Sequence, residues 1–194
     1  MKQRIMVVKR DSLLENSFNG FKSHTEYDFI KKINNFVFEE RKVETNPEFK
    51  QPIVYGVIIN PETKEVFAYQ RTNTHNENRL DNKRSWVHVD FDNYLDGSKI
   101  LEQNMARELE EEVNLKNDYK IKILGYINDD TNPVGEVHFV VYLIETEQKI
   151  QPHSKREILK DFYSISDMEK IIESKDVESW SICFTAVRDY LFSL

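Results

Sequence analysis

The sequence is poor in residues that cross-link or punctuate a chain. Its 194 residues include one cysteine, Cys183, so no internal disulfide can form, and no Cys/His cluster has the spacing of a structural zinc site. A reducing compartment fits that usage. With five glycines and five prolines there is no Gly- or Pro-rich linker, which argues against long disordered segments. No apolar run approaches the ~20 residues of a membrane span. The first run, Ile5 to Val8, stops at Lys9 and is too short for a signal-peptide core. The expected location is the cytoplasm. Basic residues are also in deficit: 27 Lys and Arg against 34 Asp and Glu give a formal charge of −7. That balance argues against a general affinity for nucleic acid or anionic membrane.

What is present suits an ordinary globular chain, with 39 % apolar and 31 % charged residues. This length supports one domain with a real core, elaborated at its N-terminus. Ile5 to Val8 reads as a strand. Ser23-x-x-Glu26 reads as a capping box opening a helix that buries Phe29, Ile30, Ile33, Phe36 and Val37. After Asn46-Pro47, Ile53 to Ile59 and Glu65 to Tyr69 form a hairpin about the turn Asn60-Pro61-Glu62-Thr63. A polar loop from Arg71 to Arg84 precedes a period-two stretch around Trp86, His88 and Asp90. A helix from Ile100 to Val113 follows, then strands at Ile121 to Ile127, Val137 to Ile144 and near Asp161 to Ile165. Ser166-x-x-Glu169 offers another capping box, and a last helix buries Trp180, Cys183, Phe184, Val187 and Leu191. This order favours an α+β fold over a doubly wound one.

The chemistry concentrates in Arg107-Glu108-Leu109-Glu110-Glu111-Glu112-Val113. At ~100° per residue, Glu108, Glu111 and Glu112 share one arc and Glu110 points away. The apolar stripe is Leu101, Met105, Leu109 and Val113, and Glu112 lies between the directions of Leu101 and Met105, at the edge of the buried face. Partly desolvated carboxylates that crowd together need protonation, an arginine or a metal, and hard oxygens suit Mg²⁺ or Mn²⁺. The plainer reading is a solvated Glu-rich helix with Arg107 as an intrahelical partner. Gly97-Ser98-Lys99 lacks the upstream glycine and the context of a phosphate loop.

The string from Arg107 to Leu115 resembles the second half of the Nudix hydrolase box, G-x5-E-x7-R-E-U-x-E-E-x-G-U, with Asn114 in place of the last glycine. Asn tolerates the left-handed conformation that ends a helix. In the first half, Lys99 stands where the box has glutamate and Asn93 where it has glycine, and Val89-Asp90 stands near the usual paired glycines. Ile53 to Arg71 resembles the family's opening hairpin and Val134 to Phe139 the strand after its helix, so the resemblance covers about 50–165. The first fifty residues resemble an extension found in a phosphoesterase-like branch, where they would shape substrate access or a homodimer.

The resemblance implies a single Nudix-type α/β/α sandwich with a mixed sheet, the C-terminal helices occupying 166–194. It also implies an Mg²⁺- or Mn²⁺-dependent hydrolase acting on a diphosphate in a nucleoside diphosphate derivative, a small-molecule partner. Carried over by position, Glu111 and Glu112 are metal ligands, Glu108 is a third ligand or the base, and Arg107 is the orienting cation. Glu136, Asp129 and Asp130 are the candidates for a further loop carboxylate, with Glu136 preferred. Arg71, Arg79, Lys83 and Arg84 could meet phosphate, against the plain reading of surface charge. Because Lys99 cannot be a metal ligand, the alternative is a Nudix-fold binding or regulatory module that holds a nucleotide with little or no turnover.

Overall fold

Four successive apolar residues, Ile5 to Val8, are all buried, and they form the centre of β1 (Arg4–Lys9). The computed structural model describes residues 4–70, 84–85, 87–89, 99–130, 138–150, 159–174 and 183–194. After β1 come α1 (Arg10–Leu13), β2 (Gly20–Ser23), α2 (Ile30–Ile33), β3 (Val37–Glu40), a 3-10 turn (Arg41–Thr45) and β4 (Phe49–Lys50). Then follow β5 (Ile53–Asn60), β6 (Glu65–Gln70), β7 (Arg84–Ser85), β8 (Val87–Val89), α3 (Ile100–Val113) and β9 (Lys120–Asn128). The chain continues through β10 (His138–Glu145), β11 (Leu159–Ser164), α4 (Ile165–Glu173) and α5 (Phe184–Ser193). The fold is α+β with mixed sheets.

Two compact units divide the chain, each discontinuous in sequence. One comprises Met1–Tyr55, His88–Met105 and Ile123–Val141, the other Gly56–Val87, Ala106–Lys122 and Tyr142–Leu194. In the first, β1 is flanked antiparallel by β3 and β4. In the same unit β2 pairs antiparallel with the end of β9, from Gly20↔Asn128 to Ser23↔Gly125. A side chain at Gly125 would collide with the Lys22 carbonyl and the Phe21 ring, so glycine is required for that close approach. In the second unit β11 runs antiparallel to β6 over six residue pairs, β7 pairs with the other end of β6, and β5 and β6 form the expected hairpin. Asn60 Oδ1 accepts the backbone N–H groups of Glu62 at 2.9 Å and Thr63 at 3.1 Å, and Lys64 takes φ 56° to close that turn. Within the larger sheet the strand order is β11-β6-β5-β10-β9-β2. β5 is interior there, which accounts for seven consecutive buried residues where a half-exposed strand would alternate.

The long helix expected after Ser23 does not form. Ser23 ends β2, and its Oγ accepts from Thr25 N–H two residues on, giving a tight turn instead of a capping box. Only Ile30–Ile33 is helical, capped by Asp28 Oδ1 on the Ile30 N–H at 3.0 Å. Of the five apolar residues assigned to that helix only Ile33 is buried, and Val37 starts the edge strand β3, 47 % exposed. The cap of α4 is also displaced: Ser164, not Ser166, accepts the Asp167 N–H, at 3.2 Å. The helix begins two residues before the expected box, as soon as β11 ends. Cys183, Phe184, Val187 and Leu191 are buried at α5 as expected. Trp86, Asp90, Val137 and Trp180 lie outside the described residues.

Candidate active site

Helix α3 has the predicted bounds, and Leu101, Met105, Leu109 and Val113 are its buried stripe. Its C-terminus is closed by Asn114, which takes φ 53° and donates its N–H to the Glu110 carbonyl at 3.1 Å. Asn therefore does here what the family's glycine would do. At the other end the Lys99 carbonyl accepts the Gln103 N–H at 2.9 Å, so Lys99 is the N-cap, with its side chain exposed.

The carboxylates on this helix differ in environment. Glu108 is shielded, with 13 % of its side chain exposed, whereas Glu111 is 57 % exposed. Arg107 bridges them, with Nη2 2.7 Å from Glu108 Oε1 and Nη1 donating to Glu111 Oε2 at 2.9 Å. Burial pushes the Glu108 carboxyl up to about 7, the Arg107 charge opposes that rise, and Glu112 and Glu111 reinforce it. Glu110 points away, as expected, and pairs with Lys116 at 2.7 Å. Such a group offers hard oxygens beside a carboxyl that can hold or release a proton near neutral pH. Among the described residues no three acidic, His or Cys side chains already converge as a metal cage.

Asp130 stands elsewhere in the chemistry. Arg10, Ser17 Oγ at 2.7 Å and Asn128 Nδ2 at 3.0 Å all donate to its Oδ2, Lys50 Nζ meets Oδ1 at 2.7 Å, and Asn19 Oδ1 accepts its backbone N–H at 2.8 Å. These partners hold its carboxyl well below the usual range despite partial burial. Asp130 is thus a structural hub. Glu136, Arg71 and Arg79 lie outside the described residues, as does Lys83, and Arg84 belongs to β7. His88 and His138 belong to β8 and β10. Sequence reasoning passed over the buried polar residues Lys50 and Asn104. Asn104 could have been found from its spacing of four from Glu108.

No family model matches the sequence. Protein YmaB of Bacillus subtilis (strain 168) is 31 % identical over 197 residues, covering 93 % of this chain and 95 % of YmaB. Among solved structures, Tm1382, a candidate Nudix hydrolase, superposes with a TM-score of 0.75 at 23 % identity, over 98 % of this chain and 99 % of its own. The NUDIX domain of Shewanella oneidensis NrtR, solved with ADP ribose, gives 0.55 at 16 % identity, over 75 % of this chain and 89 % of its own. The fold is that of Nudix proteins, and α3 carries the Arg-Glu-x-x-Glu-Glu half of their box. The chain belongs to the Nudix family, in a group with B. subtilis YmaB.

Proposed function

We propose that the protein hydrolyses a diphosphate linkage in a nucleoside diphosphate derivative, with Mg²⁺ or Mn²⁺ as cofactor. The observation that carries this reading is the acidic face of α3, where shielded Glu108 lies beside Glu111 and Glu112 and is bridged by Arg107. All the donors are carboxylate oxygens, the chemistry a hard divalent cation selects. Glu111 and Glu112 would hold the ion, with Glu108 beside them. When bound, such an ion offsets the charge of the diphosphate and lowers the pKa of water. Glu108, whose carboxyl lies near neutrality, takes up the proton that the attacking water releases. Arg107 keeps Glu108 and Glu111 side by side. Its pair with exposed Glu111 is worth only a few tenths of a kcal/mol, so Glu111 can turn towards an incoming cation.

Lys99 favours a second reading, a nucleotide-binding module without turnover, because an exposed ammonium caps α3 where the box supplies a carboxylate. A product screen separates the two. The panel covers nucleoside triphosphates, dinucleoside polyphosphates, nucleotide sugars, reduced dinucleotides and ADP-ribose, the ligand of the NrtR domain. With Mg²⁺ or Mn²⁺, turnover of at least one compound is expected, falling at least a hundredfold in Glu112→Gln with the fold retained. Nucleotide binding without products across the panel would replace the hydrolase by the binding module.

A further inference from the structure

Asn104 is polar and fully buried, yet it does not lie on the apolar stripe of α3. At ~100° per residue its direction falls within about 40° of Glu108 and about 20° of Glu111, so it belongs to the acidic face. Its Nδ2 donates to the Ile100 carbonyl at 2.9 Å, which fixes the amide. Its Oδ1 is buried and has no hydrogen-bond partner among the described residues. A buried acceptor without a donor is costly, and an apolar residue of the same size would avoid the cost. The nearest cation in sequence on this face, Arg107, is directed to Glu108 and Glu111. The donor that Asn104 lacks must come from outside the chain.

We infer that Asn104 is a positioning residue of the acidic site, its amide oxygen accepting a hydrogen bond from the water shell of a divalent cation held by Glu108, Glu111 and Glu112. This rests on the metal-dependent reading above. An acceptor in that place orients the hydrated ion without touching it, the role outer-shell partners play in metal sites, where their loss weakens affinity about 10- to 100-fold.

Calorimetric titration of the full chain with Mn²⁺ alone, beside thermal melts without metal, tests this. Asn104→Leu is expected to melt no lower than wild type, since it removes the orphaned acceptor, yet to bind Mn²⁺ about tenfold or more weakly. Asn104→Asp keeps an oxygen in place and is expected to bind at least as tightly as wild type. If Asn104→Leu binds like wild type while Glu112→Gln does not bind, the inference falls and the metal reading stands. If wild type itself takes up no Mn²⁺, both fall. Should the Leu variant not fold, Asn104→Asp decides, a tenfold loss there overturning the inference.

Discussion

Glu108 serves folding and chemistry in opposite ways. Its folded-state pKa of about 7 lies above the ordinary 4.5 because burial disfavours the charged form. Below about pH 4.5 the group is protonated in both states and costs nothing. Between there and pH 7 the folded protein retains a proton that the unfolded chain releases, so stability falls as pH rises, and above pH 7 the penalty is constant. The shift corresponds to about 3 kcal/mol. Urea unfolding of the metal-free protein at pH 5 and pH 8 should show that Glu108→Gln loses less stability between the two by about this amount. Equal losses in variant and wild type would mean that Glu108 ionises without penalty. A carboxyl that destabilises the fold in its charged form is expected where function needs the charge.

At the level of elements, helix ends decide boundaries. Asn114 holds a left-handed conformation at the end of α3. Asn114→Ala should therefore destabilise by about 1 kcal/mol and Asn114→Gly should not, as read by thermal melts. Ser164 satisfies the first turn of α4, and Ser164→Ala should cost about 1 kcal/mol whereas Ser166→Ala leaves the melting temperature unchanged within error. The opposite ranking would return the cap to Ser166. The fourteen residues of α3 were readable because one periodic stripe and one terminal Asn agree. The segment after Ser23 was misread because its apolar residues have helical spacing while Asp28, Asn34 and Asn35 break the backbone into turns. Its rings pack on one another instead, Phe18 and Tyr27 each stacked on Phe29 with Lys22 over the faces of Phe18 and Tyr27.

Across the whole chain, Asp130 joins residues separated by as many as 120 positions, tying Arg10, Ser17, Asn19 and Lys50 to the end of β9. Lys50 is fully buried. Taking away its carboxylate partner leaves a desolvated charge, and such losses cost about 3 to 5 kcal/mol. Asp130→Ala should lower unfolding stability by about 3 kcal/mol, given the partial exposure of Asp130, and adding Lys50→Met should recover much of it. Simple additivity of the two changes would show that the pair is uncoupled. The depressed pKa of Asp130 means that its contribution is present above the ordinary carboxylate range and is lost only as pH falls far below it.

By itself the sequence determined the local features: the central strand Ile53–Asn60, its hairpin with Glu65–Gln70, the helix Ile100–Val113 and the arc of Glu108, Glu111 and Glu112. Each follows from spacing within a few turns or one strand, where backbone geometry fixes which side chains share a face. Tertiary structure alone decided that Glu108 is shielded while Glu111 is exposed, that Asp130 is a hub and not a ligand candidate, and that Lys50 and Asn104 are buried. Desolvation and ion pairing depend on what distant segments bring to a side chain, and no local periodicity encodes which segment arrives.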